Sequence, residues 1–218
     1  MNKRLMFSAA LVMALLSANA QKRAFTIEDL YRVKGVSSVS LSPDGKTVCY
    51  TASSSDLKNQ KSGSDIYIMN ADGSHVKALT ENGKSSSAVW SKDGKSIFFT
   101  NYEKGTAQIF RMDLTTCETE QVTDYELGIG SPVISPDERY IAFTAEVYPD
   151  LGADAKANKA RMEKKEQGPV QAHIADKLLY RHWTSYNDGR CNHLILFDTQ
   201  TKTYKDLTPG NYSLIFMV

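Results

Sequence analysis

Two glutamates three positions apart, Glu163 and Glu166, and the adjoining pair His182-Trp183 are the side chains whose type and spacing could act on a ligand. Residues three apart share a helix face, so the two carboxylates stand on one side, although exposure on a charged helix accounts for them more simply. His182 and Trp183 could line a cleft, or an aromatic there could anchor its segment to the scaffold. Nucleophilic catalysis by a serine would need a rigid elbow such as Gly-x-Ser-x-Gly with an oxyanion hole beside it, and that pattern does not occur. No catalytic residue can therefore be assigned. His75, His173, His182 and His193 are scattered without a pair at helical ligand spacing, and the cysteines form no metal framework, so neither metal nor cofactor is expected.

The elements that must carry these residues are announced by a pattern that occurs three times. The first copy opens on Ser42-Pro43-Asp44-Gly45-Lys46, the second on Ser91-Lys92-Asp93-Gly94-Lys95, the third on Ser135-Pro136-Asp137-Glu138-Arg139. An extended segment precedes each corner, and a nearly continuous apolar run follows it: Thr47 to Thr51, Ser96 to Thr100, Tyr140 to Thr144. Runs of that kind predict strands covered on both faces. Third strands are predicted at Asp65 to Asn70, Ala107 to Asp113 and His193 to Asp198, and fourth strands at His75 to Leu79, Glu118 to Val122 and Thr203 to Leu207. The intervals Asn70 to Thr80, Asp113 to Thr123 and Asp198 to Thr208 are equal, so the outer hairpin keeps one length. Aspartate bonds its own backbone in such corners and glycine accepts positive φ. Glu138 replaces that glycine in the third copy, which predicts a turn tolerant of a Cβ.

The fold class is therefore all-β: a partial β-propeller of three four-stranded antiparallel blades plus the first strand of a fourth, with a helical insertion in blade three. The division is 1–20 signal peptide, 21–35 N-terminal helix and lead-in, 36–83 blade one, 84–128 blade two, 129–210 blade three with its insertion at 146–192, and 211–218 the start of blade four. In the lead-in, Thr26 is the candidate N-cap of a short helix, with Asp29 completing a capping box. Within the insertion, 153–167 has helical composition. Its lysines and arginines (Lys156, Lys159, Arg161, Lys164, Lys165) alternate with Asp154, Glu163 and Glu166, as on a solvated helix. Ile174 to Trp183 reads as a second helix or a strand. Insertions on repeat scaffolds carry function often enough to make this one the candidate lid or docking element, with family decoration as the alternative. Three blades are too few to close a ring, which predicts that the chain is the front part of something larger.

Lys3 and Arg4, the apolar run from Leu5 to about Leu16 and the exit Ala18-Asn19-Ala20 form a secretory signal, predicting export to the periplasm or beyond. No later stretch is long enough to cross a bilayer, so no membrane association is expected after cleavage. Removing that head leaves 24 basic against 25 acidic side chains, interspersed, which gives no electrostatic footprint for nucleic acid. Of the three cysteines, Cys49 falls inside a second strand and is expected to be a buried thiol. A bridge between Cys117 and Cys191 is an open alternative in an oxidising compartment.

The signal, the opening Phe25-Thr26-Ile27-Glu28-Asp29-Leu30, the Ser-Pro-Asp-Gly-Lys corners, Tyr180-Arg181-His182-Trp183 at the end of the insertion, and Asp206-Leu207-Thr208-Pro209-Gly210 together resemble the N-terminal half of a prolyl oligopeptidase family serine peptidase. The nearest group is the bacterial periplasmic dipeptidyl peptidases and acylaminoacyl-peptidase-like enzymes. That resemblance implies a propeller set over a C-terminal α/β-hydrolase domain, which would be the partner of these blades, with short peptides as substrate. It implies that this part gates peptide access and is itself non-catalytic. Some family members hold a substrate's amino terminus with a glutamate pair on a propeller helix, but the residues flanking Glu163 and Glu166 depart from that motif. The Ser-Pro-Asp-Gly corner is shared with TolB-type propellers, so a TolB-like periplasmic binding protein is the rival reading, and a split remnant that never closes is a third.

Overall fold

The structure, a computed structural model, describes residues 23–170, 172 and 181–212. Each copy of the pattern forms one four-stranded antiparallel sheet. Blade one consists of β1 (Gly35–Leu41), β2 (Thr47–Asp56), β3 (Lys61–Asn70) and β4 (Lys77–Ala78). Blade two holds β5 (Ser85–Trp90), β6 (Ser96–Asn101), β7 (Gln108–Asp113) and β8 (Thr119–Gln121). Blade three begins with β9 (Gly130–Ile134) and β10 (Tyr140–Val147). Its insertion carries the small hairpin β11 (Arg181–His182) and β12 (Ser185–Tyr186), and β13 (Cys191–Asp198) and β14 (Thr203–Asp206) then complete the sheet. All three sheets are meanders ordered first to fourth, as expected of propeller blades. The expected signal at 1–20 and the expected opening strand of a fourth blade at 213–218 lie outside the described residues.

One set of side-chain bonds builds all three corners. Ser42 Oγ donates to Asp44 Oδ1 at 2.7 Å, the Lys46 amide donates to the same oxygen, and the Thr47 amide closes on Ser42 Oγ at 2.9 Å. Ser91, Asp93, Lys95 and Ser96 repeat these contacts, as do Ser135, Asp137, Arg139 and Tyr140. These bonds hold the corner carboxylates below the ordinary aspartate range, with the serine hydroxyl leading for Asp44 and Asp137 and the backbone amide leading for Asp93. The third corner corrects the sequence expectation. Glu138 does not select a different turn but takes the left-handed φ of 59° at the position where Gly45 and Gly94 have 73° and 69°. What offsets that strain is its carboxylate, which accepts the Lys92 amide of the neighbouring corner at 2.9 Å.

The fourth strand is fixed to the third by a repeated threonine. Thr80, Thr123 and Thr208 each accept, through Oγ1, the amide of the residue that opens the third strand's apolar run, Ile66, Ile109 and Leu194, at 2.9–3.0 Å. That role explains the equal spacing seen in the sequence. Each first strand also carries a bulge at a serine with positive φ, at Ser38, Ser87 and Ser131, six positions before the corner aspartate.

The core lies between blades. Cys49, Ile66, Ala88, Ile97, Phe99 and Met112 fill the first junction, while Phe98, Ile109, Tyr125, Ile141, Phe143 and Phe197 are among those filling the second. Among the described residues, β6 is the one strand buried on both faces. The buried residues of β2 and β10 alternate with half-buried ones, contrary to the expectation for all three second strands, because among the described residues each flanking blade has a neighbour on one side. The three cysteines are free thiols, which removes the proposed Cys117–Cys191 bridge: Cys117 is exposed in the β7–β8 turn and Cys191 opens β13. Burial pushes the Cys49 thiol up to about 12. The expected N-terminal helix is α1 (Ile27–Arg32), with the Thr26 amide donating to Asp29 Oδ2 at 2.9 Å and Asp29 held at about 2 by Arg23.

Candidate functional site

The insertion leaves blade three at the end of β10 and returns at β13, so it stands at the opposite end of the sheet from the aspartate corner. Its helix, α2 (Ala155–Glu166), is capped by Asp154, whose carboxylate accepts the Ala157 amide at 3.0 Å. The helix has seven of its twelve residues exposed and lacks an apolar stripe, so propensity and caps alone would not hold it in place. Asn158 holds it. Fully buried, it accepts the Tyr148 amide at 2.6 Å and donates to the carbonyls of Gly152 and Asp154 at 3.1 and 2.8 Å, so that one amide side chain serves three backbone groups. Arg161 forms a two-pronged pair with Asp150 at 2.7 Å, and with Lys165 it packs on the Tyr148 ring. Lys165 also reaches the Asp188 carbonyl, and Arg190 pairs with Asp188 and Glu146, which ties the return of the insertion to its start.

Glu163 and Glu166 stand on α2 and are exposed, whereas His182 lies in β11 and Trp183 at the tip of the β11–β12 hairpin. The expected helix over 153–167 is thus present. Of the segment Ile174 to Trp183, residues 174–180 lie outside the described residues, and 181–182 form a strand. Trp183 is 84% exposed and holds a φ of 52°, uncommon for a bulky residue. Arg181 packs across the hairpin on Tyr186. Tyr102, at the end of β6, and Leu57, at the β2–β3 turn, are exposed at the same end of their own blades. Each blade thus exposes a large apolar side chain at its insertion end, as Leu41, Val76, Val89 and Val133 are exposed toward the corner end.

A second feature was missed by the sequence reading: a half-open groove of about 990 Å³ between the outer edges of blades two and three. Phe197 and Tyr204, stacked at 4.6 Å, provide an aromatic wall, and Lys104, Asp124, Glu126 and Lys156 supply charges of both signs around it. Measured to the bulge serine, the linker from Thr123 to Ser131 is one residue longer than that from Thr80 to Ser87, and it carries Tyr125 beside the groove. That ring is fully buried against Phe143 and Tyr204, and burial raises its phenol. The longer spacing was the available signal. Among the described residues no group of three or more His, Cys, Asp or Glu could hold a metal ion, and no helix is long and apolar enough to cross a membrane.

Residues 18–168 match the family described as TolB beta propeller domain. The chain belongs to that family. Among curated proteins, this TolB-type propeller is similar to dipeptidyl-peptidase 5 of Porphyromonas gingivalis, 31% identical over 152 residues that make up 69% of the chain and 21% of the relative. Dipeptidyl-peptidase 5 of Porphyromonas endodontalis is 28% identical over 168 residues, 77% of the chain and 23% of the relative. The chain thus spans under a quarter of the length of these relatives. The fold is also similar to part of the acylaminoacyl peptidase of Pyrococcus horikoshii, with a TM-score of 0.60, 18% identity, and coverage of 83% of this chain and 26% of that one. Together these similarities support kinship with the propeller portion of prolyl oligopeptidase family peptidases.

Proposed function

We propose that this propeller portion serves an exported, dipeptidyl peptidase-like serine peptidase as a wall and filter for peptide access, with an α/β-hydrolase domain as its partner and the chemistry residing there. The observation carrying the reading is the similarity over most of the chain to two dipeptidyl-peptidase 5 proteins, combined with a sequence that lacks a nucleophile elbow. The insertion-bearing end, with Trp183 and Tyr102 exposed, suits a surface facing a peptide or the partner domain. Export rests on the signal-like residues 1–20 and on the bacterial relatives.

The test compares the 218-residue chain with the longer protein carrying a hydrolase domain, using fluorogenic dipeptide substrates and a folded protein as substrate. The expected result is no turnover by the chain alone, and cleavage of short substrates but not of folded protein by the longer form. Turnover by the chain alone would overturn the reading. A longer protein of further blades without serine-directed hydrolysis would favour the rival, a TolB-like binding propeller, which the family match itself supports.

A further inference from the structure

The groove between the outer edges of blades two and three is lined by three lysines and three carboxylates, so its walls carry no net charge. Half of these groups are already engaged. Lys104 donates to Gln121 Oε1 at 2.7 Å, the Lys202 ammonium lies 5.6 Å from the centre of the Phe197 ring, and Asp154 caps α2. The other half are not. Glu126 on the linker is half-buried, and its Oε2 is sealed from water without a donor, while the Asp124 carboxylate and the Lys156 ammonium have no ion pair among the described residues. A folded chain ordinarily pairs a carboxylate that it withdraws from water. One left unpaired beside an open groove attracts a cation more strongly than an exposed one, because less water competes for it.

Part of the remaining wall is apolar. Tyr204, half-buried and backed by Phe197 at 4.6 Å, stands there with Val122, Ala153 and Ala155. Its hydroxyl accepts the Asp124 amide at 3.2 Å, which joins the ring to the acidic linker. A neutral lining with unused charges of both signs gives no field for a polyanion such as nucleic acid. It matches a ligand that carries an ammonium, a carboxylate and an apolar side chain together. We propose that the groove binds short zwitterionic peptides, with the amino terminus at Glu126 and Asp124, an apolar side chain on Tyr204, and the carboxyl terminus at Lys156. A volume of about 990 Å³ is at the upper end for small-ligand sites and leaves room for a dipeptide or tripeptide. Every lining residue belongs to blade two, to blade three or to the linker between them, so this binding needs no hydrolase domain and can hold or fail apart from the peptidase function proposed above.

Isothermal titration of the full chain with alanyl-phenylalanine reads the site. Saturable binding of one peptide per chain is expected, weakened about tenfold when the peptide's amino terminus is acetylated and about fivefold when its carboxyl terminus is amidated. Glu126→Gln should weaken binding about tenfold without lowering the thermal midpoint of the unliganded chain, because no group among the described residues bonds the buried oxygen. A merely structural glutamate would lower that midpoint instead. Lys156→Gln should weaken binding about fivefold. Absence of saturable binding, equal affinity for the acetylated peptide, or parental affinity in both variants overturns the assignment. Free phenylalanine binding as tightly as the dipeptide would overturn the assignment to peptides.

Discussion

The two junctions between blades join the same kind of sheet in different ways. Blade one meets blade two through backbone: a Cβ on Gly63 would stand 2.7 Å from the Gly83 carbonyl oxygen, and the Ser64 amide donates to that same oxygen at 3.1 Å. Ser64 Oγ reaches the Ser85 carbonyl, Thr51 Oγ1 accepts the Ser87 amide, and the Trp90 indole donates to the Ser40 carbonyl. At the second junction Thr106 stands where Gly63 does, the glycine that meets it is Gly128, the Ile129 amide donates to the Ala107 carbonyl at 3.0 Å, and the gap is filled by the Tyr125 ring, with the groove left at its outer edge. A junction closed by backbone cannot accept an added atom, and one closed by a wedge cannot lose it.

Removing the wedge should have the largest effect. Tyr125→Ala is expected to cost about 3–5 kcal/mol in denaturant unfolding, whereas Tyr125→Phe, which gives up only a hydrogen bond to the Ala153 carbonyl, should cost about 1 kcal/mol. Equal losses from both would mean that the hydroxyl, not the ring, closes the junction. Adding one carbon at the other junction comes next, with Gly63→Ala expected to cost about 2 kcal/mol because backbone, not a flexible side chain, must move. A neutral result would show that the glycine contact is loose.

The corner latch between blades two and three should matter less. Glu138→Ala keeps the left-handed φ and loses the bond to the Lys92 amide, so it should cost about 1 kcal/mol. Glu138→Gly loses the same bond but relieves the strain and should lie within about 0.5 kcal/mol of the parent. Equal losses would assign the corner's stability to the carboxylate alone, and a reversed order would show that the left-handed φ carries no strain there. The last effect, read from the corner aspartates, appears only on acidification. Their carboxyls lie below the ordinary value of 3.8, so the stabilisation is present above that pH and fades as pH falls through the folded values. Because all three corners share it, acid should lower the thermal midpoint as one transition; separate transitions would show that the blades do not act together.

The blades were legible because their signals are local. Ser-x-Asp corners, apolar runs and the threonine ten positions after the third strand each act within one sheet, and the structure places a corner, a strand and a threonine bond at each, although of the three second strands only β6 is covered on both faces. What could not be read was set by neighbours. Glu138 resolves its turn through Lys92 of another blade, and Asn158 anchors a helix through the Tyr148 amide ten residues earlier. The serine bulges recur at a fixed offset, yet serine is common enough to hide the pattern. For the candidate site, composition found α2 with Glu163 and Glu166, but the hairpin carrying His182 and Trp183 has no period long enough to announce itself. The groove lies beside a linker one residue longer than its counterpart, a difference visible only once the two linkers are compared.

Behind both junctions is the claim that a blade takes its stability from its neighbours, so the sheet with two neighbours should be the last to open. Residue-resolved native-state hydrogen exchange tests this most directly. The amides of β6, buried on both faces, should exchange only with global unfolding, and those of β2 and β10 should open at lower free energy. If β6 exchanged no more slowly than β2 and β10, each blade would be stable by itself and the account would fail.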